Sequence, residues 1–295
     1  LRGQLGAGQR IRPLRGSHLV FPFWKLPVSG SLSLIHPRDQ RPMFVYPWEG
    51  VTVVGTTDLD HDDDLQKEAV LSRHEMDYLL EAVHDAFPDA HLASSDLIST
   101  WSGVRPVVSD GGERKKDPSD EKREHVIWND QGVVSVAGGK LTTFRLIALE
   151  VLDHVRTDNG IRRELDDQVF SPAPRMARPN ALTAWQWQRL CGHYGSRVGE
   201  VLEAGPLIPV GHTDTLLAEL VWSCRNEQVR HLDDLLLRRT RLGLLLPEGG
   251  EHWLATLREY CQPVLGWDDN RWQQECTRYC DLWRGSYHLP PEPGA

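Results

Sequence analysis

The residues best placed to do chemistry lie in four short stretches. The first is VVSVAGGKLTTFR, residues 133–145. A β-branched run meets Gly138 and Gly139, and Lys140, Leu141 and Thr142 then lead into an apolar-periodic segment. That is the pattern of a strand entering a helix through a glycine turn. Glycines let the backbone approach a ligand, and the first N–H groups of a helix lack internal acceptors, so such a turn can hold an anion. Lys140 adds a positive charge. A plain strand-to-helix connection would look the same, so the stretch alone leaves both readings open. It is not a GxxxxGK[ST] loop, because Val134 and Leu141 stand where glycine and Ser/Thr are needed.

The second stretch is WSGVRPVV, residues 101–108, where Arg105 lies between a glycine turn and Pro106. A guanidinium entering a strand there can present a rigid fork to an anion or an oxyanion. The third is LRGSHLVF, residues 14–21, with Arg15 and His18 flanking Gly16-Ser17. Imidazole titrates near neutrality, so His18 could act as a general base. The fourth is Arg123, ahead of another extended run, suited to a phosphate or to solvent. Taken singly, a surface arginine or a structural histidine is the simpler reading of each.

Other patterns fail on inspection. DLDHDDD (58–64) spaces its acids like a calcium loop, but has Asp63 where the turn needs glycine and Ala69 where the bidentate glutamate belongs. His74-Glu75 begins an HExxH that Tyr78 breaks. Gly6-Ala7-Gly8 has neither a preceding strand nor the third glycine of a dinucleotide fingerprint. Half of a dinucleotide site is thus suggested by the 138–142 turn, and the other half is absent. The five cysteines are odd in number and contain no CxxC, which argues against a disulfide framework or a zinc site. No metal is expected.

The elements that must position these residues follow from periodicity. Residues 43–48 and 51–57 read as a hairpin through Glu49-Gly50. Ser72 and Glu75 form a capping box ahead of a helix that Phe87-Pro88 ends. Residues 97–101 and 105–108 read as extended, and the Asp/Gly/Lys-rich 109–122 as a mobile loop. Residues 125–128 and 133–137 make a second hairpin, followed by a helix over 142–156. The proline-rich SPAPRMARP (171–179) reads as a linker. Beyond it, 185–194, 216–224, 232–242, 253–261 and 272–283 are helical; in the last, Trp272, Cys276, Tyr279, Cys280 and Trp283 form one core-facing stripe. The expected division is 1–165, a linker at 166–179, and 180–295, giving an α/β (α+β) region followed by an all-α domain.

Bulk properties narrow the function classes. The net charge of −9 argues against nucleic-acid binding. No apolar run reaches the ~18 residues of a membrane span, and the start does not read as a signal peptide. Reduced cysteines suit a cytoplasmic setting. The chain opens on Leu1 and reads as a piece of something longer.

Together, RGSH (15–18), GTTD (55–58), SGVRP (102–106), a strand beginning near Arg123 and GGKLTTFR (138–145) resemble the FAD-dependent glycerol-3-phosphate dehydrogenase family. The DDLLLRRTRL segment (233–242) resembles that family's helical C-terminal domain. The resemblance implies FAD as cofactor and oxidation of sn-glycerol 3-phosphate to dihydroxyacetone phosphate by hydride transfer to the flavin, with electrons passing to a quinone. It implies a substrate- and flavin-closing region ahead of the helical domain, with the N-terminal FAD fingerprint missing. By the same resemblance Arg105 lies near the reacting hydroxyl and His18 in the pocket, both as catalytic residues. Arg123, Lys140 and Arg15 then bind the substrate, and Gly138, Gly139, Lys140, Leu141 and Thr142 line the flavin. It further implies a cytoplasmic enzyme with peripheral contact at the inner face of the membrane, and leaves a homodimer open. Position 15 departs from the family's usual lysine, which keeps the charge and changes its geometry. Two alternatives stand beside it: a related FAD-dependent amine or amino-acid oxidase, and a non-catalytic module that binds a phosphometabolite or partner without flavin.

Overall fold

The computed structural model describes residues 11–108, 124–155, 168–170, 172 and 174–291. Its strands are β1 (Ile11–Pro22), β2 (Leu32–Ile35), β3 (Pro42–Trp48), β4 (Val51–Gly55), β5 (Leu59–Asp60), β6 (Ser99–Val108), β7 (Val126–Asp130) and β8 (Val133–Ala137). The α-helices are α1 (Arg73–Ala86), α2 (Phe144–Val155), α3 (Ala184–Tyr194), α4 (Val198–Ala204), α5 (Leu217–Asn226), α6 (Leu242–Leu245), α7 (Leu254–Leu265) and α8 (Asp269–Ser286). They fall into two compact units. One comprises Leu1–Gly16, Thr57–Ala69 and Gly103–Phe170; the other comprises Ser17–Thr56, Val70–Ser102 and Ser171–Ala295. The expected linear division places 17–56 and 70–102 apart from the helical tail, whereas these segments cluster with it.

The reason lies in the larger unit's sheet. Strands β2, β3, β4 and the second half of β1 pair antiparallel in that order. Alternation sorts their side chains. Leu19, Phe21, Met43, Val45 and Val54 face α1, packing with Met76, Leu79 and Val83. Val20, Val51 and Val53 face the other way, packing with Ile98 and Leu245 of α6. Both faces are covered, which is why β4 is an almost unbroken apolar run. The helical tail is therefore joined to the sheet by shared core, and Ser99 Oγ adds a hydrogen bond of 2.8 Å to the carbonyl of Leu244. Around α5, α7 and α8 a second core gathers Leu220, Leu235, Leu257, Trp272, Tyr279 and Trp283.

The smaller unit is built more lightly. The first half of β1 pairs with β5, and β7 pairs with β8 through a tight hairpin at Gln131-Gly132. A turn then leads to α2.

Three readings from sequence change in detail. Residues 97–101 and 105–108 are parts of one strand, β6, from Ser99. The helix expected from 142 opens with a 3-10 turn, Leu141–Thr143, before α2. The segment 232–242 is not one helix. A wider π-type turn over Asp234–Arg239 ends at Arg241, whose φ of 58° is left-handed, and α6 starts afresh. That break turns Leu245 onto the sheet. The expected mobile loop at 109–122 and Gly6-Ala7-Gly8 lie outside the described residues.

Candidate functional site

In the larger unit, three of the sequence motifs meet around His18. Its ring stacks on the Trp101 indole, with centroids 3.9 Å apart and planes within 4°. Across the ladder His18 pairs with Gly55. A Cβ on Gly55 would lie 2.2 Å from His18 Cδ2, so the glycine of GTTD is what makes room for the histidine of RGSH. Beside it, Ser17 Oγ donates to Glu75 Oε1 at 2.7 Å and so accepts from Ser102 Oγ, also at 2.7 Å. Glu75 is 1% exposed, and its other oxygen takes the Ser72 N–H and hydroxyl of the expected capping box. One buried carboxylate thus closes the start of α1 and fixes β1 against β6, which holds His18 and Trp101 in register.

In the smaller unit, arginines and aspartates pair. Arg105 Nη1 donates to Asp58 Oδ1 at 3.0 Å, with Asp58 only 10% exposed. Arg15 Nη1 donates to Asp63 Oδ2 at 3.1 Å. Arg12 grips Asp60 with two bonds of 2.6 and 2.8 Å. Asp58, Asp60 and Asp63 of DLDHDDD, which fails as a calcium loop, are therefore arginine partners. Asp58 is the last residue of GTTD, and Arg105 is the arginine of SGVRP. An ion pair to a fixed carboxylate orients the guanidinium it holds.

The same unit carries the glycine turn. Gly138 and Gly139 have φ of 79° and 78°, a region that disfavours any side chain. Their missing Cβ atoms would meet the Glu124 carbonyl oxygen at 2.5 Å and Ile147 Cδ1 at 2.6 Å. The turn therefore needs both glycines to bring β8 directly into the 3-10 turn and α2. Its next residues are open to solvent: Lys140 is exposed, Leu141 is 88% exposed and Thr142 is exposed. Thr143 closes the turn, its N–H and hydroxyl both reaching the Lys140 carbonyl at 3.0 Å. Behind it, His125 Nε2 sits 2.6 Å from Glu150 Oε2, fastening the hairpin to α2.

The structure thus groups His18 with Gly55 and Trp101 in one unit, and Arg105 and Arg15 with their acids in the other. Arg123 lies outside the described residues. Sequence reading missed Asp58, Trp101 and Glu75 as supporting residues. Their partners lie 47, 83 and 58 positions away, beyond any local pattern. The only signal was that each belongs to a motif: Asp58 to GTTD, Trp101 to WSGVRP and Glu75 to the capping box.

Comparison with known proteins bears on these motifs directly. A family model described as FAD dependent oxidoreductase matches residues 1–145, and one described as the C-terminal domain of alpha-glycerophosphate oxidase matches residues 158–272. The aerobic glycerol-3-phosphate dehydrogenase of Staphylococcus haemolyticus is 30% identical over 262 residues, covering 79% of this chain and 46% of the relative. The chain is thus similar to FAD dependent oxidoreductases over its first half and to aerobic glycerol-3-phosphate dehydrogenases over most of its length. The Staphylococcus saprophyticus dehydrogenase of the same description is 28% identical over 258 residues, again covering 79% and 46%. The chain spans about half the length of these curated relatives. The fold matches the glycerol-3-phosphate dehydrogenase from Bacillus halodurans solved with FAD, at a TM-score of 0.70 and 22% identity, over 94% of this chain and 57% of that one. A mixed α/β region followed by helices is therefore the architecture of a known dehydrogenase fold. Among the described residues, no helix is long and apolar enough to cross a membrane.

Proposed function

We propose that this chain supplies the substrate-binding and flavin-closing parts of an enzyme that oxidises sn-glycerol 3-phosphate to dihydroxyacetone phosphate, with a quinone as final acceptor. The observation that supports this most is the Asp58–Arg105 pair. It ties the acid of GTTD to the arginine of SGVRP at 3.0 Å, so that a 30% exposed guanidinium is steadied by a carboxylate that is 10% exposed. A guanidinium so fixed can stabilise negative charge developing on a substrate oxygen without reorganising. His18, whose ring stacks on Trp101, is the histidine proposed to assist at the substrate hydroxyl. Lys140, Arg15 and Arg123 are the cations assigned to the phosphate.

The glycine turn fits a flavin. Its backbone is free of side chains at Gly138 and Gly139, it leads to a helix start, and Leu141 and Phe144 offer exposed apolar surface beside it. Gly138, Gly139, Lys140, Leu141 and Thr142 would hold the cofactor there, chiefly through backbone groups. When bound, FAD supplies the two-electron acceptor for the oxidation. Residues 1–165 and 180–295, joined by 166–179, are proposed as that enzyme's two functional stretches along the sequence, which the two compact units described above cut across. The cellular site proposed is the cytoplasm, with peripheral contact at the inner membrane face, which pelleting with anionic vesicles would check.

The test is the visible spectrum of the purified chain before and after anaerobic glycerol 3-phosphate. A flavin band that bleaches with this substrate, and not with amines or amino acids, is the expected result for an intact site. A bound flavin that bleaches only with an amine or amino acid would overturn the reading. In an active enzyme, Arg105→Ala should lower turnover at least ~100-fold, by analogy with removal of an oxyanion donor. Near-normal turnover would remove Arg105 from the reacting end.

A further inference from the structure

A pocket of 490 Å³ lies in the larger unit between the start of α1, residues 94–95 and the end of α8. We propose that it binds a phosphate-headed amphiphile, a class of ligand distinct from the substrate assigned above. The proposal rests only on the lining of this pocket, not on the reading of the reaction.

The lining holds two arginines, Arg73 and Arg284, with Ser94 and Ser95 beside them, and no aspartate or glutamate. Both arginines are steadied from outside the pocket. Arg73 Nε donates to Asp77 at 3.2 Å, and Arg284 Nη2 donates to Glu251 at 2.6 Å; neither acid is among the lining residues. Arg284 uses only Nη2 among the described residues, so Nε and Nη1 remain for a ligand. The hydroxyls of Ser94 and Ser95 make no hydrogen bond among the described residues. Two cationic side chains, the remaining N–H groups of Arg284 and two hydroxyls in one concavity suit a phosphomonoester. The rest of the lining is His288, whose Nδ1 lies 3.0 Å from the Leu289 carbonyl oxygen, and the apolar Met76, Leu289, Pro290 and Pro291. A bare phosphate would leave that surface uncovered, whereas a short alkyl chain would bury it. The head could come from a lipid or from a free alkyl phosphomonoester, since both present the same chemistry.

The test is isothermal titration of the full chain with hexyl phosphate, inorganic phosphate and 1-hexanol. Hexyl phosphate should bind at least ~10-fold more tightly than either of the others, because only it engages both halves of the lining. Arg73→Ala and Arg284→Ala should each weaken it about tenfold or more, as expected for loss of a charge-assisted hydrogen bond. Arg284→Lys should recover part of that loss, and circular dichroism would confirm that each variant is folded. Glu251→Gln releases Arg284 from its acid and should tighten binding severalfold, an effect that no folding defect would mimic. Flotation with phosphatidic acid vesicles, sensitive to the same two arginines, would assign the head to a lipid; hexyl phosphate binding without flotation would assign it to a free phosphomonoester. The proposal is overturned by hexanol binding as tightly as hexyl phosphate, by no heat up to ~10 mM ligand, or by binding that neither arginine variant alters.

Discussion

α2 in the smaller unit and α8 in the larger one invert what their compositions suggest. α2 carries Phe144, Leu146, Ile147, Leu149, Val151, Leu152 and Val155 in twelve residues, and none of them is buried. α8 is much more polar, yet it buries Trp272, Tyr279 and Trp283. The difference is in partners, not in residues. α8 meets α7 and the loop around Gly249 and Gly250, and its three large rings close the second core. α2 meets β8 and the turn before it. Burial belongs to the surface a helix meets, and apolar content only makes it available. The two units differ in charge as well. Glu75, Glu219 and Glu275 in the larger unit are 1–2% exposed with every carboxylate supplied by donors, whereas Asp63 in the smaller unit is 76% exposed in its pair with Arg15. The larger unit uses buried carboxylates to build; the smaller one pairs its arginines with acids that range from 10% exposed at Asp58 to 76% at Asp63.

If that contrast is right, the largest effect belongs to Trp283. Its ring is 2% exposed, lies under Gly249, and donates Nε1–H to the Gly243 carbonyl at 2.7 Å. Trp283→Ala should cost about 3–5 kcal/mol, from the cavity together with the orphaned carbonyl. The urea midpoint would register this. A loss below ~1 kcal/mol would mean that the α8 face is not a packed core.

Next is Glu219. It accepts from Arg189 at 2.8 and 3.0 Å, from Tyr194 at 2.9 Å and from the Leu216 N–H at 2.8 Å. Glu219→Ala strands Arg189, itself 8% exposed, and should cost about 3 kcal/mol. The double variant Glu219→Ala, Arg189→Met should regain part of that loss in thermal unfolding. No recovery would show that the pair is not the buried unit described above.

How much of this was legible depended on sequence distance. The two hairpins, the Ser72–Glu75 capping box and the α8 stripe are written in neighbouring residues, and each forms where its pattern lies. The motif residues were legible as types. Their support was not: Asp58 under Arg105, Trp101 on His18 and Gly55 beside it depend on how β1 pairs with strands dozens of residues away. The break at Arg241 was hidden because a left-handed arginine carries no mark of its own in the sequence. The exposure of α2 was hidden for the opposite reason, since periodicity marks a face and does not name what covers it.

A smaller effect should come from the glycine turn. Gly138→Ala places a side chain at φ of 79° and 2.5 Å from the Glu124 carbonyl oxygen, a backbone atom with little freedom to yield. The expected cost is about 1–3 kcal/mol, confined to the smaller unit. Hydrogen exchange would locate it: faster exchange in β7, β8 and α2, with α8 unchanged. A loss spread through α8 would mean that the two units unfold as one.

The smallest effect should be at Phe144, and it tests the comparison most directly. Its ring is 55% exposed on α2, next to the 88% exposed Leu141. In this chain Phe144→Ala removes little buried area, so its stability should stay within ~0.5 kcal/mol of the parent. The same substitution at a packed aromatic would cost several times as much. Measuring it at two protein concentrations sharpens the result. A concentration-independent change near zero leaves α2 uncovered, as described. A loss above ~2 kcal/mol that grows with concentration would mean that a second copy covers this face, since association stabilises by mass action. A large loss independent of concentration would put α2 inside a core of this chain, and the contrast with α8 would fail.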